Sequence, residues 1–295
     1  MIRIPAAAML LLTGSAGFAA PLLHPMFQDH AVLQRDVPIP VYGSAVAGSE
    51  ISVTLGPATA AARAGSDGSW RATLPAMKAG GPYRLHAASA DGAGETVDDV
   101  LIGDVFLCGG QSNMQLQVRA ANGFAMEQRN ATDGQIRQLT VQTRDSLTPL
   151  ATFATPVAWI PAAPDTIGGF SASCYFFARE LKRTAGVPIG LVAAPWGGSR
   201  VRDWLSEAGL RKLGVYDDDL DLLARYRRDP QDGQRGWAAK WEAWWRGLGI
   251  SGQAPWSHPM TRPVGRLHRR RSAHGRCGRA AHPTASPGRC GCAPR

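Results

Sequence analysis

Between residues 22 and 99, apolar and polar positions alternate in short runs separated by turn formers. Residues 39–42, 50–55, 60–64, 69–74 and 83–88 each read as a strand with one face toward a core. Asp67-Gly68 signals a hairpin between two of these runs. Strands recurring about every ten residues predict a small β-sandwich. From residue 100 the pattern changes to strands separated by helical stretches, the signature of a parallel sheet. Residues 105–108 form a short apolar run that breaks on Gly109-Gly110. Residues 172–185 read as a helix, because Cys174, Phe177, Ala178 and Leu181 fall at i, i+3, i+4 and i+7. Lys182 and Arg183 suit its C-terminal dipole, Gly186 can close it, and Pro188 prevents continuation. Residues 189–194 then predict a buried strand that ends in a second loop, Pro195 to Arg200. Two such loops on neighbouring strands face each other across a cleft. Residues 203–247 read as a helical insertion. Its tryptophans 237, 241, 244 and 245 share one helix face, which predicts packing, and Asp217–Asp219 read as a solvated run or a helix start. Trp70 and Tyr83 are likewise read as packing aromatics.

Candidate chemistry gathers at the first glycine break. Ser112 stands just past it, at the C-terminal end of a strand, where open α/β sheets bind ligands. A serine so placed suits a nucleophile, with backbone N–H groups free to hold an oxyanion. Taken alone, the segment slightly favours a glycine-rich turn with Ser112 as a helix N-cap.

The exact string Gly-Asp-Val-Phe-Leu-Cys-Gly-Gly-Gln-Ser-Asn-Met, residues 103–114, resembles the nucleophile block of the sialate O-acetylesterase family, a branch of the SGNH-type hydrolases. It is not the Gly-x-Ser-x-Gly elbow, since Met114 stands where that motif needs glycine. Asp67-Gly68-Ser69-Trp70 running to Ala79-Gly80-Gly81-Pro82-Tyr83 resembles the same family. So do the helix at 170–181 and Val187-Pro188-Ile189-Gly190-Leu191 leading into Trp196-Gly197-Gly198-Ser199. These ordered matches span roughly residues 25–205 and stop after about 250. The resemblance implies an α/β fold, with part of an SGNH-type parallel-sheet domain over 100–250 and an accessory β-sandwich domain over 20–99. It implies hydrolysis of O-acetyl esters on carbohydrates through an acyl-serine, with no metal or organic cofactor. Ser112 is then the nucleophile. Its N–H and that of Gly198 are oxyanion donors, Gly197 gives the loop room, and Gln111, Asn113 and Trp196 line the substrate site.

Two parts of the wider SGNH pattern are missing: an asparagine donor on a later strand and the histidine of an Asp-x-x-His segment. The asparagines, 113, 122 and 130, all precede the second loop, and none of the seven histidines follows an aspartate by three. Without a base the hydroxyl stays weakly nucleophilic.

Charge and cysteine usage adjust this picture at the two ends. Of 32 basic and 23 acidic residues, nine arginines and no carboxylates fall in 251–295, so the net charge of +9 belongs to that segment. A basic nucleic-acid arm or a metal knuckle of Cys277, His282, Cys290 and Cys292 would use it, but the ligand spacing is unlike that of structural zinc sites. The preferred expectation is an out-of-frame, disordered tail with no nucleic-acid partner. Residues 1–19 read as a secretory signal, with Arg3 before an apolar run and Gly17-Phe18-Ala19 at the cleavage point. The expected location is therefore periplasmic or secreted, without stable membrane association. Cys108 and Cys174 read as buried, unpaired thiols.

Overall fold

The longest strand in the computed structural model is shared by an antiparallel and a parallel part of one sheet. The structure describes residues 21–249; the leader pattern at 1–19 and the arginine-rich segment lie outside the described residues. Residues 21–233 belong to one compact unit and 234–249 to a second. The first unit contains β1 (Val32–Gln34), β2 (Ile39–Ser44), β3 (Glu50–Leu55), β4 (Ala58–Arg63), β5 (Ser69–Leu74), β6 (Gly80–Ser89) and β7 (Gly94–Cys108). After α1 (Ser112–Gln115) and α2 (Phe124–Asn130) come β8 (Ile136–Thr140), β9 (Trp159–Pro161), α3 (Ala172–Ala185) and β10 (Ile189–Ala193). The main sheet runs β4-β3-β6-β7-β10-β8-β9, with β1 beside β7, and β2 pairs with β5 in a separate two-stranded sheet.

Alternation builds the N-terminal layers. Ile51, Val53 and Leu55 of β3 face Ile39 and Val41 of β2 and Trp70, Ala72 and Leu74 of β5 across one core. Full burial of each large aliphatic side chain contributes about 1.5–3 kcal/mol. Trp70 is sealed there, its indole N–H donating to Leu22 O at 3.1 Å, and Tyr83 packs on the rim. The turn at Asp67-Gly68 differs from the expected hairpin. It joins β4 to β5, which lie in different sheets and do not pair.

The expected boundary at residue 99 falls inside β7. Val97, Val100 and Ile102 serve the sandwich core, whereas Cys108 at the strand's far end serves a second core. The composition shift near residue 100 marks a change of neighbours along one strand. Asp99 fastens this region from a left-handed backbone conformation (φ 54°). Its carboxylate accepts both Arg137 Nη2 contacts at 2.9 Å and meets His30 Nδ1 at 2.6 Å. Burial pushes the Asp99 carboxyl up, but the His30 hydrogen bond and the Arg137 guanidinium outweigh it and hold the pKa below the ordinary value.

Strands β7, β10 and β8 are parallel. Ile189, Leu191 and Ala193 of β10 pack with Cys174, Tyr175 and Ala178 of α3. The helix has the expected span, begins on a Ser171 side-chain cap and ends on left-handed Gly186. Phe177 departs from the predicted apolar face: it is half exposed and meets Phe106 edge-on at 5.0 Å. Cys108 and Cys174, expected as separate thiols, are joined in a disulfide with a Cα–Cα distance of 6.3 Å. The register that docks α3 on β7 brings together two cysteines 66 residues apart.

The helical insertion comprises α4 (Glu207–Leu213), α5 (Asp217–Arg228) and α6 (Pro230–Gly247), and the acidic run starts α5. The tryptophan stripe on α6 is not core. Trp237, Trp241 and Trp244 are all substantially exposed and touch one another edge-to-face, with centroids 5.9 and 5.2 Å apart. Helical spacing identified one face without identifying a cover for it. No helix among the described residues is long and apolar enough to cross a membrane.

Candidate active site

Cys108, Ala193 and Thr140 lie level at the C-terminal ends of β7, β10 and β8. Three loops therefore leave the same sheet edge: 109–111, 194–200 and 141–158. The parallel ladder extends past the strands, with Ala194 N–H donating to Cys108 O at 3.0 Å and Trp196 N–H to Gly110 O at 2.7 Å. This extension holds the first two loops together. Gly110 and Gly198 adopt φ of 143° and 81°, conformations that L side chains rarely enter.

Ser112 is the first residue of α1 and is exposed; Gln111, not Ser112, is the cap. The Gln111 carboxamide oxygen accepts from both Ser112 N–H at 2.8 Å and Ser112 Oγ–H at 2.6 Å. Both donors that an ester carbonyl and a base would engage are thus directed at one neighbouring side chain. Gly197 lies across from the serine. A Cβ built there would stand 3.8 Å from Ser112 Cβ and only 2.7 Å from Gln115 Oε1, so a side chain at 197 would displace the Gln115 carboxamide. Gln115 Oε1 accepts from Gly197 N–H at 3.1 Å and ties α1 to the second loop. Sequence reasoning missed Gln115, because a glutamine three residues past a serine gives no local signal of its partner. Gly198 has open space on its Cβ side.

The other residues singled out from the sequence surround this point. Asn113 is exposed, and its backbone oxygen accepts from Ser173 Oγ at 3.2 Å. Ser171 Oγ donates to Met114 O at 2.6 Å, so the start of α3 props α1 from below. Trp196 is partly exposed and borders two cavities. The smaller, about 400 Å³, is lined by Trp196, Gly197, Gly198, Ser199, Asp203 and Trp204. Trp204 donates its indole N–H to Ser199 Oγ at 2.9 Å and lies over Gly109.

Each of the three described histidines is engaged elsewhere. His24 Nδ1 accepts from Met26 N–H at 3.1 Å, which leaves Nε2–H to donate to Ala151 O at 3.2 Å. Burial keeps its pKa below the ordinary histidine value, against a smaller opposing effect of that carbonyl. His30 meets Asp99, and His86 meets Thr96 Oγ1 at 2.9 Å. The four later histidines lie outside the described residues. The described part of the site therefore offers a presented hydroxyl and a glycine turn opposite it, with no imidazole bonded to that hydroxyl.

The chain is similar in sequence and fold to known carbohydrate acetylesterases. The family model for carbohydrate esterase, sialic acid-specific acetylesterase, matches residues 102–229. Human sialate O-acetylesterase is 35% identical over 194 residues, covering 59% of this chain and 36% of that protein. The rat sialate O-acetylesterase is 31% identical over 204 residues, covering 63% of this chain and 38% of its own. The crystal structure of a carbohydrate acetylesterase from Xanthomonas citri superimposes with a TM-score of 0.62 at 41% identity, covering 64% of this chain and 44% of that one. The chain spans little more than a third of the length of the curated relatives it matches. Its α/β sheet and its sequence from residue 102 to 229 are similar to those of sialic acid-specific acetylesterases among the carbohydrate esterases.

Proposed function

We propose that this chain carries the nucleophile half of an exported carbohydrate O-acetylesterase, acting on acetyl esters of sugar hydroxyls. Ser112 is the nucleophile, and the N–H groups of Ser112 and Gly198 receive the negative charge of the tetrahedral intermediate. Gln111 gives up both serine donors when an ester carbonyl enters. Gln115 holds the Gly197 turn at the distance this requires. The observation that carries the reading is the exposed Ser112, at a parallel-strand terminus and across from Gly197. Export is proposed from the leader pattern at residues 1–19.

No Asp-x-x-His segment and no asparagine after Asn130 occur in the 295 residues, so on this reading the base and the third donor come from outside them. The 295-residue chain is therefore expected to hydrolyse p-nitrophenyl acetate no faster than its Ser112→Ala variant. A chimera joining residues 21–249 to the C-terminal remainder of the Xanthomonas citri enzyme should gain about 10⁴-fold, and the gain should vanish with Ser112→Ala. A folded but inactive chimera, or activity that survives Ser112→Ala, overturns the assignment. The first of those outcomes would favour a non-catalytic carbohydrate-binding role, a reading motivated by the absence of an imidazole partner for Ser112 among the described residues.

A further inference from the structure

Strand β8 carries a polar side chain where an apolar one would pack as well. Gln138 is only 2% exposed and sits between the buried Arg137 and Leu139. A carboxamide taken out of water is costly unless both its ends are bonded, so its partners give the reason for its presence. Ser171 N–H can only donate, and Gln138 Oε1 accepts from it at 3.2 Å. That leaves Gln138 Nε2 to donate, which it does to Thr140 Oγ1 at 2.9 Å. The carboxamide is therefore fixed in one orientation.

Ser171 passes this placement on to the nucleophile block. Its Oγ donates to Met114 O at 2.6 Å and accepts from Cys174 N–H at 3.4 Å. The backbone on either side of it is zipped to the chain that leaves α1. Ala172 N–H donates to Leu116 O at 2.8 Å, and Val118 N–H donates to Phe170 O at 2.9 Å. Leu116 N–H in turn donates to Ser112 O at 2.9 Å. Hydrogen bonds thus run from Thr140 through Gln138 and Ser171 to Met114, two residues from the serine. Gln138 also shares the lining of a small cavity, about 130 Å³, with Gln115, the residue that holds the Gly197 turn.

We infer that Gln138 is a positioning residue for Ser112, acting through Ser171 and Met114 from a different strand of the sheet. The inference rests on the esterase reading for why this serine needs a fixed place. Gln138 itself is sealed beneath the sheet edge and acts without touching substrate.

Hydrogen exchange of the 295-residue chain, followed by mass spectrometry, tests the link without catalysis. Gln138→Met removes both bonds at similar side-chain length. Peptides from residues 112–118 should then exchange about ten-fold faster, while those from 50–55 and 69–74 keep the parent rates. Gln138→Glu keeps an acceptor for Ser171 N–H and should restore part of the protection. If near-ultraviolet circular dichroism shows Gln138→Met unfolded, Thr140→Val, which frees only the outer end of the carboxamide, should give a smaller shift at the same peptides. In the chimera described above, Gln138→Met should lower kcat about 10–100-fold with KM unchanged. Leu55→Ala, which empties a distant core position, should lower the urea midpoint and leave kcat intact. Exchange at 112–118 that stays at the parent rate, or that rises equally at 50–55 and 69–74, overturns the proposal. So does an unchanged kcat in a folded, active Gln138→Met chimera. Selective exchange at 112–118 alongside an inactive parent chimera supports the Gln138 link and counts against the esterase reading alone.

Discussion

The N-terminal layer and the parallel sheet edge hold their apolar residues differently. In β3, β5 and β6 the inward positions are sealed; Val53, Leu55, Leu74 and Leu85 are all fully buried. At the C-terminal end of β7, by contrast, Leu107 is 74% exposed, and Leu116, Trp196 and Trp204, which follow the ends of β7 and β10 in sequence, remain partly open. The same alternation that closes the first region therefore leaves the second with unburied surface. The contrast teaches that residues 21–103 are selected mainly by packing. Those around the loops at 109, 141 and 194 are held in place by backbone ladders and single side-chain bonds, leaving concave surface free for a ligand.

The contrast is sharpest for a pair of leucines. Leu55→Ala should destabilise the chain by about 2–5 kcal/mol in urea unfolding, the usual range for emptying a sealed core position. Leu107→Ala should change stability by about 0.5 kcal/mol or less, as exposed positions do. Equal effects at the two sites would break the comparison.

A smaller effect is expected at the joint between the regions. Arg137 is almost fully buried, whereas Asp99 is about one-third exposed. Asp99→Asn suits the left-handed backbone but leaves the guanidinium without its counter-charge. The expected loss is about 2 kcal/mol, below the roughly 3–5 kcal/mol of a fully buried pair. Because the Asp99 pKa is depressed in the folded state, its contribution is present above about pH 3.8 and fades as pH falls through the lower folded value. Urea midpoints that coincide for parent and Asp99→Asn at neutral pH would remove the joint from the account.

The smallest effect concerns His24, which also has a depressed folded pKa. Its neutral form is the stabilising one, so its contribution is intact above about pH 6.5 and is lost as pH falls through the lower folded value. Unfolding free energy should decline on acidification in that window, and less so in His24→Gln. Identical pH slopes for the two proteins would show that burial of the His24 ring contributes nothing to the pH dependence.

These regions were also unequally legible in the sequence. Residues 50–55 and 69–74 matched their strands residue for residue, since alternation reports a half-buried surface directly. The α3 helix was equally clear from its apolar face, its cap and Gly186. The Asp67-Gly68 turn was recognisable as a turn, but which strands it would pair depended on the layering of two sheets. Cys108 and Cys174 each carried the signal of a buried thiol, and only the docking of α3 on β7 reveals their pairing. For the candidate site, the local strings singled out Ser112 and the Gly197-Gly198 turn, which the structure brings to one sheet edge. Gln115 escaped notice because its significance lies in the Gly197 N–H that the second loop brings to it.

Peptide mapping of a fluorophosphonate adduct on the chimera tests the central claim most directly. Only an activated serine reacts, and the account predicts one modified peptide, carrying the adduct on Ser112 and missing from Ser112→Ala. An adduct on another serine, or labelling undiminished by Ser112→Ala, would contradict it.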